Sequence, residues 1–243
     1  ANAVVFSLVN GLLLGSLPVR EPQRLLTFND GRTFSYPDYC DYRDQTREVF
    51  EGVAAHLLAA PASVGGTGEP ERVWGQLTTA NYFSVAGVEP TLGRGFLAEE
   101  DQAPRRNPVV VLSHGLWQRR FGSNPEIVGQ PILLNGAKYT VVGIAPPGFT
   151  GTTRGLVPEF WAPISMLREL MPDLARDNLN EKRFAQWLTI NVRLKAGVTL
   201  RSRGDDAKGT DGLKRAEATV IDGGGKDGKQ PGVVMAEGST LDG

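Results

Sequence analysis

The stretch "ILLNGAKYTVVGIAPPGF", residues 132–149, predicts a β-hairpin without a side chain obviously suited to catalysis. Asn135 and Gly136 are the strongest short-range signal for a type I′ turn, because both central residues of that turn need a positive φ. Hydrophobic residues occupy both alternating faces of residues 139–144, so we expect the second strand to be covered on both sides. Pro146 and Pro147 end this strand.

A buried strand and a capped helix precede the hairpin. The β-branched run "VVVLS", residues 109–113, predicts the strand, and Ser113 is a suitable N-cap for the helix that follows. Leu116, Trp117 and Phe121 then fall on one helical face. Two arginines occupy the last turn before Gly122, where the helix dipole favours cations.

The other elements alternate without the regular spacing of a parallel doubly wound sheet, which favours an α+β fold. Strands are expected within residues 24–30, 72–78, 159–164 and 187–195, and the last of these is expected to have one face in solvent. Helices are expected from the capping box of Ser35 and Asp38 to Gly52, from Thr79 to Gly87, and after a Ser165 cap.

The composition argues against nucleic-acid binding, disulfide bonds and a zinc site. The 26 Lys and Arg residues against 27 Asp and Glu give a net charge of -1, so no global field attracts nucleic acid. The single cysteine, Cys40, excludes an internal disulfide framework and a CxxC pair, and we expect a core thiol. His56 and His114 leave little material for a zinc site, and both are expected to be surface or packed residues.

The N-terminal segment, residues 1–19, carries no charged residue. Its length and apolar character predict the C-terminal part of a transmembrane helix, and the chain is then a fragment that begins inside a span. The alternative is a buried core helix.

The composition changes after Thr199. Residues 200–243 contain no aromatic residue and ten of the chain's 30 glycines. Such a segment predicts a low-complexity tail that is disordered or foreign to the fold. Within it, "GGGKDGKQ" at residues 223–230 approaches a phosphate-binding loop but lacks the magnesium-binding hydroxyl, so a flexible linker is the expectation. Arg203-Gly204-Asp205 is interpreted as a chance match to an adhesion tripeptide.

Four stretches, taken together, resemble the extracytoplasmic core domain of MacB-type ABC transporter permeases, and especially their acidobacterial-type duplicated orphan branch (MacB/FtsX-like). They occur in the order expected for that family. The stretches are "VFSLVNGLLLGSLPVREPQRLL" at 5–26, "FSYPDYCDYRDQTREVFEGVAA" at 34–55, "NYFSVAGVEPTLGRGFLAEED" at 81–101 and the long segment at 109–151 that ends in the hairpin.

The resemblance implies a mixed α/β subdomain at residues 20–101 and a β-rich subdomain at 102–199, after part of a transmembrane helix. It implies a location at the bacterial cytoplasmic membrane with the domain on the periplasmic side. It also implies that ATP is hydrolysed by an ABC ATPase subunit or domain and that this chain transmits the conformational change to export or to a partner. Further partners implied are the remaining permease helices, a second copy in a homodimer and a periplasmic adaptor. No catalytic, cofactor-binding or metal-binding residue is expected.

Two other functions stay open on the residues alone. One is a secreted binding or adhesion module. The other is a hydrolase that uses Ser113, next to His114, or the acidic trio Glu99, Glu100 and Asp101, although a helix cap and a solvated loop are the simpler interpretations. The tryptophans are expected to pack in the core rather than to form a sugar-stacking platform; they are Trp74, Trp117, Trp161 and Trp187.

Overall fold

The computed structural model describes residues 19–28, 33–66, 68–101, 108–153, 155–177, 179–202, 219–222 and 233–235. Nine strands form the main sheet: β1 Leu25–Phe28, β2 Phe50–Gly65, β3 Glu71–Thr78, β4 Leu92–Gly93, β5 Val109–Leu112, β6 Pro131–Leu134, β7 Ala137–Ile144, β8 Phe160–Pro163 and β9 Thr189–Leu194. The α-helices are α1 Tyr36–Gln45, α2 Tyr82–Ala86, α3 Ala98–Asp101, α4 His114–Phe121 and α5 Leu167–Leu170. The α+β class is confirmed.

Six strands close into a hydrogen-bonded ring. Around the ring, β2 pairs with β3, β3 with β8, β8 with β5, β5 with β7, β7 with β6, and β6 again with β2. The pairs β3–β8 and β5–β7 are parallel and the others are antiparallel. A closed ring leaves its member strands fewer free edges, which removes sites for unwanted strand pairing.

The quoted hairpin makes the last contact of the ring. Asn135 and Gly136 have φ angles of 51° and 79°, as the predicted turn requires. The Asn135 side chain accepts a hydrogen bond from the Ser63 backbone N–H at 2.8 Å, and the Asn135 N–H donates to the Ser63 carbonyl at 2.9 Å. The turn residue that forms the hairpin therefore also joins it to β2.

The 16-residue strand β2 belongs to two parts of the sheet. Its first half pairs with β9, which in turn pairs with β1, and its second half pairs with β6. A register shift between Leu57 and Ala60 in the β2–β3 ladder separates the halves. Such an irregularity increases the local bend of a strand, which lets β2 leave one set of neighbours and join the other.

Most of these strands are covered on both faces, because two hydrophobic cores share them. The first core fills the inner face and includes Val110, Tyr139 and Ile190, and α1 and α4 contribute the buried side chains of Tyr39 and Leu116 to it. The second core lies on the opposite face under α2 and includes Tyr82, Phe83 and Trp161. The expectation that residues 139–144 are covered on both sides is confirmed.

The predicted helix caps are present. Ser35 accepts a hydrogen bond from the Asp38 N–H, and the Asp38 carboxylate accepts one from the Ser35 N–H, which completes the capping box. Ser113 accepts from the Leu116 N–H at 3.1 Å, and α4 ends before Gly122 with its φ of 60°. These caps are local, so the sequence alone is enough to predict them.

Three helix boundaries differ from the prediction. The first helix ends at Gln45 rather than Gly52, because Phe50 already belongs to β2, whose pairing with β9 outweighs the helical pattern. The second helix begins at Tyr82, since the Thr79 hydroxyl is used by the Ala55 N–H and by Asn81. Ser165 lies in a 3₁₀ turn and caps no helix.

The last predicted strand is present as β9, but the expectation that one of its faces lies in solvent is wrong. Residues 189–194 are all buried, because α2 covers the face that carries Asn191 and Arg193. Trp161 and Trp187 lie in the cores as expected, and Trp117 is partly buried. Trp74 departs from that expectation, with 46% of its surface exposed on β3.

Several predictions concern residues that lie outside the described part of the chain or in short described pieces of it. The segment 1–18 and the motifs at 203–205 and 223–230 lie outside the described residues. In the remainder of residues 200–243 the described strands are β11 Thr219–Asp222 and β12 Val233–Met235, which form a small antiparallel sheet with β10 Thr199–Ser202. Among described residues, none of the helices is long and apolar enough to cross a membrane. The division into subdomains at residue 101 stays a prediction, and the strand ring contains strands from both sides of it.

We expect Gly143→Ala to lower the free energy of unfolding by about 1–3 kcal/mol, the usual cost of overpacking. A Cβ at Gly143 would lie 2.3 Å from the carbonyl oxygen of Arg94, whose backbone is fixed against β7 by its own hydrogen bond to Val142. Gly115→Ala is the matched control. Nothing lies within 4 Å of its added Cβ in the exposed face of α4, so helix propensity should raise stability by about 0.5 kcal/mol. Urea unfolding of both variants measures the difference, and equal effects would contradict the close approach of β4 to β7.

Candidate functional site

A buried polar network lies between the sheet and α2. Its members come from five strands (β1, β2, β3, β8 and β9), from α2 and from the loop after β7, and most of them are buried. They are Thr27, His56, Gln76, Tyr82, Thr152, Thr153, Trp161 and Asn191. Buried polar groups are costly unless they are paired, and a satisfied network fixes the relative positions of the elements that supply it.

Thr152 is the centre of the network. Its backbone N–H donates to the Tyr82 hydroxyl oxygen at 3.0 Å, and the two side-chain hydroxyls also lie 3.0 Å apart. The Thr152 hydroxyl donates to the Asn191 side-chain carbonyl at 2.9 Å, and the Asn191 amide donates to Thr27 at 2.7 Å. One loop residue thus joins α2 to β9 and, through β9, to β1.

Gln76 connects the network to the ring. Its side-chain oxygen accepts from the Trp161 indole N–H at 3.0 Å and from the Tyr82 hydroxyl at 3.3 Å. Gly151, with a φ of 84°, brings the loop against these groups, since a Cβ there would lie 3.2 Å from the Gln76 oxygen. These hydrogen bonds therefore join the loop and α2 to the strands β1, β3, β8 and β9.

His56 is a packed histidine, as the sequence predicts, and it is completely buried in β2. Its Nε2 lies 3.0 Å from the Thr153 hydroxyl, and its ring packs edge-on against Tyr82. Burial lowers the pKa of His56 to about 4, against a smaller opposing effect of Asn191. The imidazole is accordingly neutral near pH 7 and serves as a structural group.

The acidic trio lies in α3 rather than in a loop, with Glu99 exposed and Glu100 and Asp101 in contact with the fold. Glu100 is buried and receives two hydrogen bonds from Arg94, at 2.7 and 2.9 Å, and one from the Leu97 N–H. Burial opposes its ionisation, but Arg94 and the Leu97 N–H outweigh burial, and the pKa of Glu100 is lowered.

Asp101 accepts from the backbone N–H groups of Ala80 and Ser165, at 3.1 and 3.3 Å. Burial raises the pKa of Asp101 to about 6. The carboxylates therefore join α3 to its neighbours.

Ser113 and His114 do not come together as a catalytic pair. The Ser113 hydroxyl caps α4, and the His114 ring lies edge-on to Trp117 with 5.3 Å between the ring centroids. Cys40 is a free, partly buried thiol beside the first core. No group of three or more His, Cys, Asp or Glu residues that could hold a metal occurs in the part of the chain that the structure describes.

A second polar cluster joins the linker segment, which we define as residues 19–24, to the sheet. Arg24 donates to the Leu194 carbonyl at 2.6 and 2.9 Å and forms ion pairs with Glu21 and Glu51. The guanidinium of Arg193 donates to the Val85 carbonyl in α2 and to the Arg20 carbonyl. The linker segment is thus attached to β9, β2 and α2.

Neither cluster can be predicted from the sequence, and the reason is the same for each. Asn191 and Arg193 alternate with apolar residues in β9, and this pattern is also typical of a half-exposed strand. The contacts of these residues are remote in sequence: 164 positions separate Asn191 from Thr27. No local signal distinguishes a solvated polar face from one that a short helix covers.

The family profile described as "MacB-like periplasmic core domain" matches residues 1–206. The chain belongs to this family. The resemblance of the four stretches to the periplasmic core domain of MacB-type permeases is confirmed. The assignment to the acidobacterial-type orphan branch and the bounds of the two subdomains stay predictions.

Two curated relatives match over 64 residues, which is 26% of this chain and 10% of each relative. One is "Probable syringafactin export ATP-binding/permease protein SyfD" of Pseudomonas syringae pv. syringae (strain B728a), at 39% identity. The other, at 38% identity, is a "Probable export ATP-binding/permease protein" of Pseudomonas fluorescens (strain Pf0-1). The aligned part of this chain thus corresponds to about a tenth of the length of either relative.

Two solved structures are similar in fold. The periplasmic region of MacB from Actinobacillus actinomycetemcomitans aligns over 69% of this chain and 68% of its own, with a TM-score of 0.49 and 16% identity. The extracellular domain of the noncanonic ABC-type transporter YknZ from Gram-positive bacteria aligns over 71% and 83%, with a TM-score of 0.47 and 15% identity.

The opposite pKa shifts of His56 and Asp101 predict opposing effects on stability between pH 4 and 6.5. Below its ordinary pKa of 6.5 a histidine binds a proton in the unfolded chain but not at the buried His56 site, so acid destabilises the fold. Asp101 acts in reverse, because its folded-state pKa near 6 exceeds the ordinary 3.8, and protonation stabilises the fold as the pH falls.

Urea unfolding at pH 7 and pH 5 tests both signs. His56→Gln should reduce the loss of stability between the two pH values by about 2 kcal/mol, from the size of its pKa shift. Asp101→Asn should increase that loss instead. An unchanged pH dependence in both variants would contradict the shifted pKa values of the two side chains.

Proposed function

We propose that this chain is the extracytoplasmic part of an ABC permease and that it transmits movement without catalysing a reaction. In this proposal, ATP hydrolysis by an ABC ATPase subunit or domain in the cytoplasm moves the membrane helices. The linker segment passes that movement to the sheet, and the sheet passes it to export or to a partner protein. The chain itself hydrolyses nothing.

One observation supports the proposal more than any other, namely the attachment of the linker segment to the body of the fold. Arg24 in the linker segment donates to the Leu194 carbonyl in β9, and Arg193 in β9 donates to the Arg20 carbonyl in the linker segment. Hydrogen bonds from charged donors are among the strong ones, and Arg193 is completely buried. A displacement at residue 20 therefore moves β9 and α2 rather than only a loose chain end.

The closed ring also supports the proposal, because a domain that transmits movement needs parts that move as rigid bodies. Six strands hydrogen-bond in a circuit, and the polar network around Thr152 ties the circuit to α2 and to β9. Bending one strand would strain pairings all round the ring. The domain is thus suited to shift as a whole.

The names of the curated relatives join an ATP-binding part and a permease part, which supports an ATPase as the partner of this chain. The proposal also includes the other permease helices, a second copy of the chain and a periplasmic adaptor. It locates the domain on the periplasmic side of the bacterial cytoplasmic membrane, with residues 1–19 as the end of a transmembrane helix. Among the described residues, Ser113 caps α4 instead of forming a catalytic pair, and the Arg203-Gly204-Asp205 motif of the adhesion alternative lies outside them.

Hydrogen–deuterium exchange on the full-length permease with its ATPase, reconstituted in lipid nanodiscs, tests the proposal. Trapping the nucleotide-bound state with ATP and vanadate should change amide exchange in residues 19–28 and 82–88, because these segments receive the movement. Exchange in β5 should stay constant, since that strand is buried within the ring.

The matched control is an ATPase variant that does not bind nucleotide, in which no segment of this chain should respond. If the wild-type complex also shows no change in residues 19–28 and 82–88, the coupling role is wrong. Release of the full-length gene product into the soluble fraction would instead favour the secreted module.

A further inference from the structure

The turn between β6 and β7 combines an exposed side-chain amide with an unhindered backbone nitrogen. Asn135 and Gly136 are both exposed. Gly136 has no Cβ, and a Cβ built there would meet nothing within 4 Å, so water and base can reach its N–H. Among the asparagines that the structure describes, Asn135 is the one that precedes a glycine. Asparagine is a thermolabile residue, and a following glycine offers the least hindrance to loss of its amide.

This loss of the amide, deamidation, needs water and no enzyme or cofactor. The Gly136 nitrogen gives up its proton and forms a bond to Cγ of Asn135, the Cγ–Nδ2 bond breaks, and ammonia leaves. The product is a five-membered cyclic imide. Water then opens the imide at the side-chain carbonyl, which gives aspartate, or at the backbone carbonyl, which gives isoaspartate. Both openings are hydrolyses in which no atom is oxidised or reduced.

The closed strand ring restrains the first step. Oδ1 of Asn135 accepts from the Ser63 N–H at 2.8 Å, and the Asn135 N–H donates to the Ser63 carbonyl at 2.9 Å. The φ angles of 51° and 79° are those of a type I′ turn, whose first central residue has a positive ψ. The cyclic imide needs a negative ψ at the asparagine. Asn135 must therefore leave the turn and release Ser63 before the nitrogen can reach Cγ.

We infer that Asn135 is a deamidation site whose rate is set by opening of the contact between β2 and the β6–β7 hairpin. Apart from the Asn135 turn, the described pairing of β2 with β6 is limited to Val64 with Leu134 and Gly65 with Leu133. Local opening of so short a contact costs less than global unfolding. Deamidation then records how often this part of the ring opens. It does not depend on the proposed function, because the reaction is the same whether or not the domain transmits movement.

The two products have different effects on the ring. Aspartate keeps a side-chain oxygen that can accept from the Ser63 N–H. Isoaspartate adds a methylene group to the backbone, so the turn cannot keep both the contact with Ser63 and the pairing of Leu134 with Ala137. We expect isoaspartate at this position to hold the contact between β2 and β6 open.

Asn124 is a control within the same tryptic peptide. Cleavage after Arg120 and Lys138 releases residues 121–138, which contain both Asn124 and Asn135. Asn124 is also exposed, but Pro125 follows it, and a proline nitrogen has no proton to lose. Asn124 should therefore stay unmodified when Asn135 reacts.

The test is incubation of the full-length permease in lipid nanodiscs, in mildly alkaline buffer made with heavy-oxygen water. Digestion follows in ordinary water, so that deamidation during digestion adds no label. Mass spectrometry with electron-transfer fragmentation locates the label and separates aspartate from isoaspartate. We expect labelled isoaspartate and aspartate at Asn135, formed more slowly than in the free peptide of residues 121–138, which has no ring to restrain it.

Ser63→Pro should speed up labelling at Asn135 about two- to tenfold, the range expected for loss of one hydrogen bond, because proline removes the N–H that binds Oδ1. Ser63→Ala is the matched control, since it keeps both backbone groups and should leave the rate unchanged. If Ser63→Pro does not fold, Gly65→Val is a second route to faster labelling, because even an alanine Cβ at Gly65 would lie 3.3 Å from the Leu133 Cβ.

Equal rates in Ser63→Pro and Ser63→Ala, or failing that in Gly65→Val and the wild type, would overturn the role of the ring contact. Equal rates in the folded permease and the free peptide would do the same. A folded permease without label at Asn135, after a time that labels the peptide completely, would show that Asn135 is not a site in the native protein. Label at Asn124 would contradict cyclisation as the route.

Hydrogen–deuterium exchange separates the effects of the two products. The permease with Asn135→Asp should protect residues 131–134 as the wild type does, whereas wild type enriched in isoaspartate by incubation should lose that protection. Equal protection in the incubated wild type and in Asn135→Asp would overturn the expected opening by isoaspartate.

Discussion

The rest of the structure depends on the closure of the strand ring. The pairing of β2 with β6 is short, limited to Val64 with Leu134 and Gly65 with Leu133, and the Asn135 turn reinforces it through Ser63. Without this contact β6 and β7 would be a hairpin at the end of an open sheet. With it, six strands enclose the inner core, and each strand is held by two neighbours. An extended strand of 16 residues with an irregularity near its middle is what allows one element to serve both the ring and the β1–β9 side.

Closure also explains why so many polar side chains are buried. Part of the outer face of the ring, at β5, β7 and β8, is covered by α2 and the loop after β7, which form the second core. Polar residues under this cover form hydrogen bonds with one another through Thr152 and Gln76, while Gln76 Nε2 and His56 Nδ1 have no partner among the described residues. Such a network contributes less to stability than an equally large apolar core, but its directional bonds define one arrangement of α2 on the sheet. The same arrangement presents the Val85 carbonyl to Arg193.

In the described residues, these polar groups hold elements of the fold in position. The groups with displaced pKa values are used structurally: His56 is buried next to Thr153, and Asp101 binds two backbone N–H groups. Displaced pKa values often mark catalytic sites, but here burial and backbone contacts account for them. The part of the fold that is joined to the N-terminal segment is instead rich in charged hydrogen bonds to carbonyls. That distribution agrees with membership in a family of transporter domains.

The sequence by itself determined the local elements and the family. The Asn135-Gly136 turn, the capping box at Ser35 and the buried strand at 109–112 depend on residues a few positions apart, so their signals survive in the sequence. Only the tertiary structure decided which faces are buried. Residues 50–52 look helical until β9 pairs with them, and Asn191 and Arg193 look solvated until α2 covers them. The candidate site could not be predicted for this reason, because its hydrogen bonds join residues up to 173 positions apart and no local pattern encodes a contact over that separation.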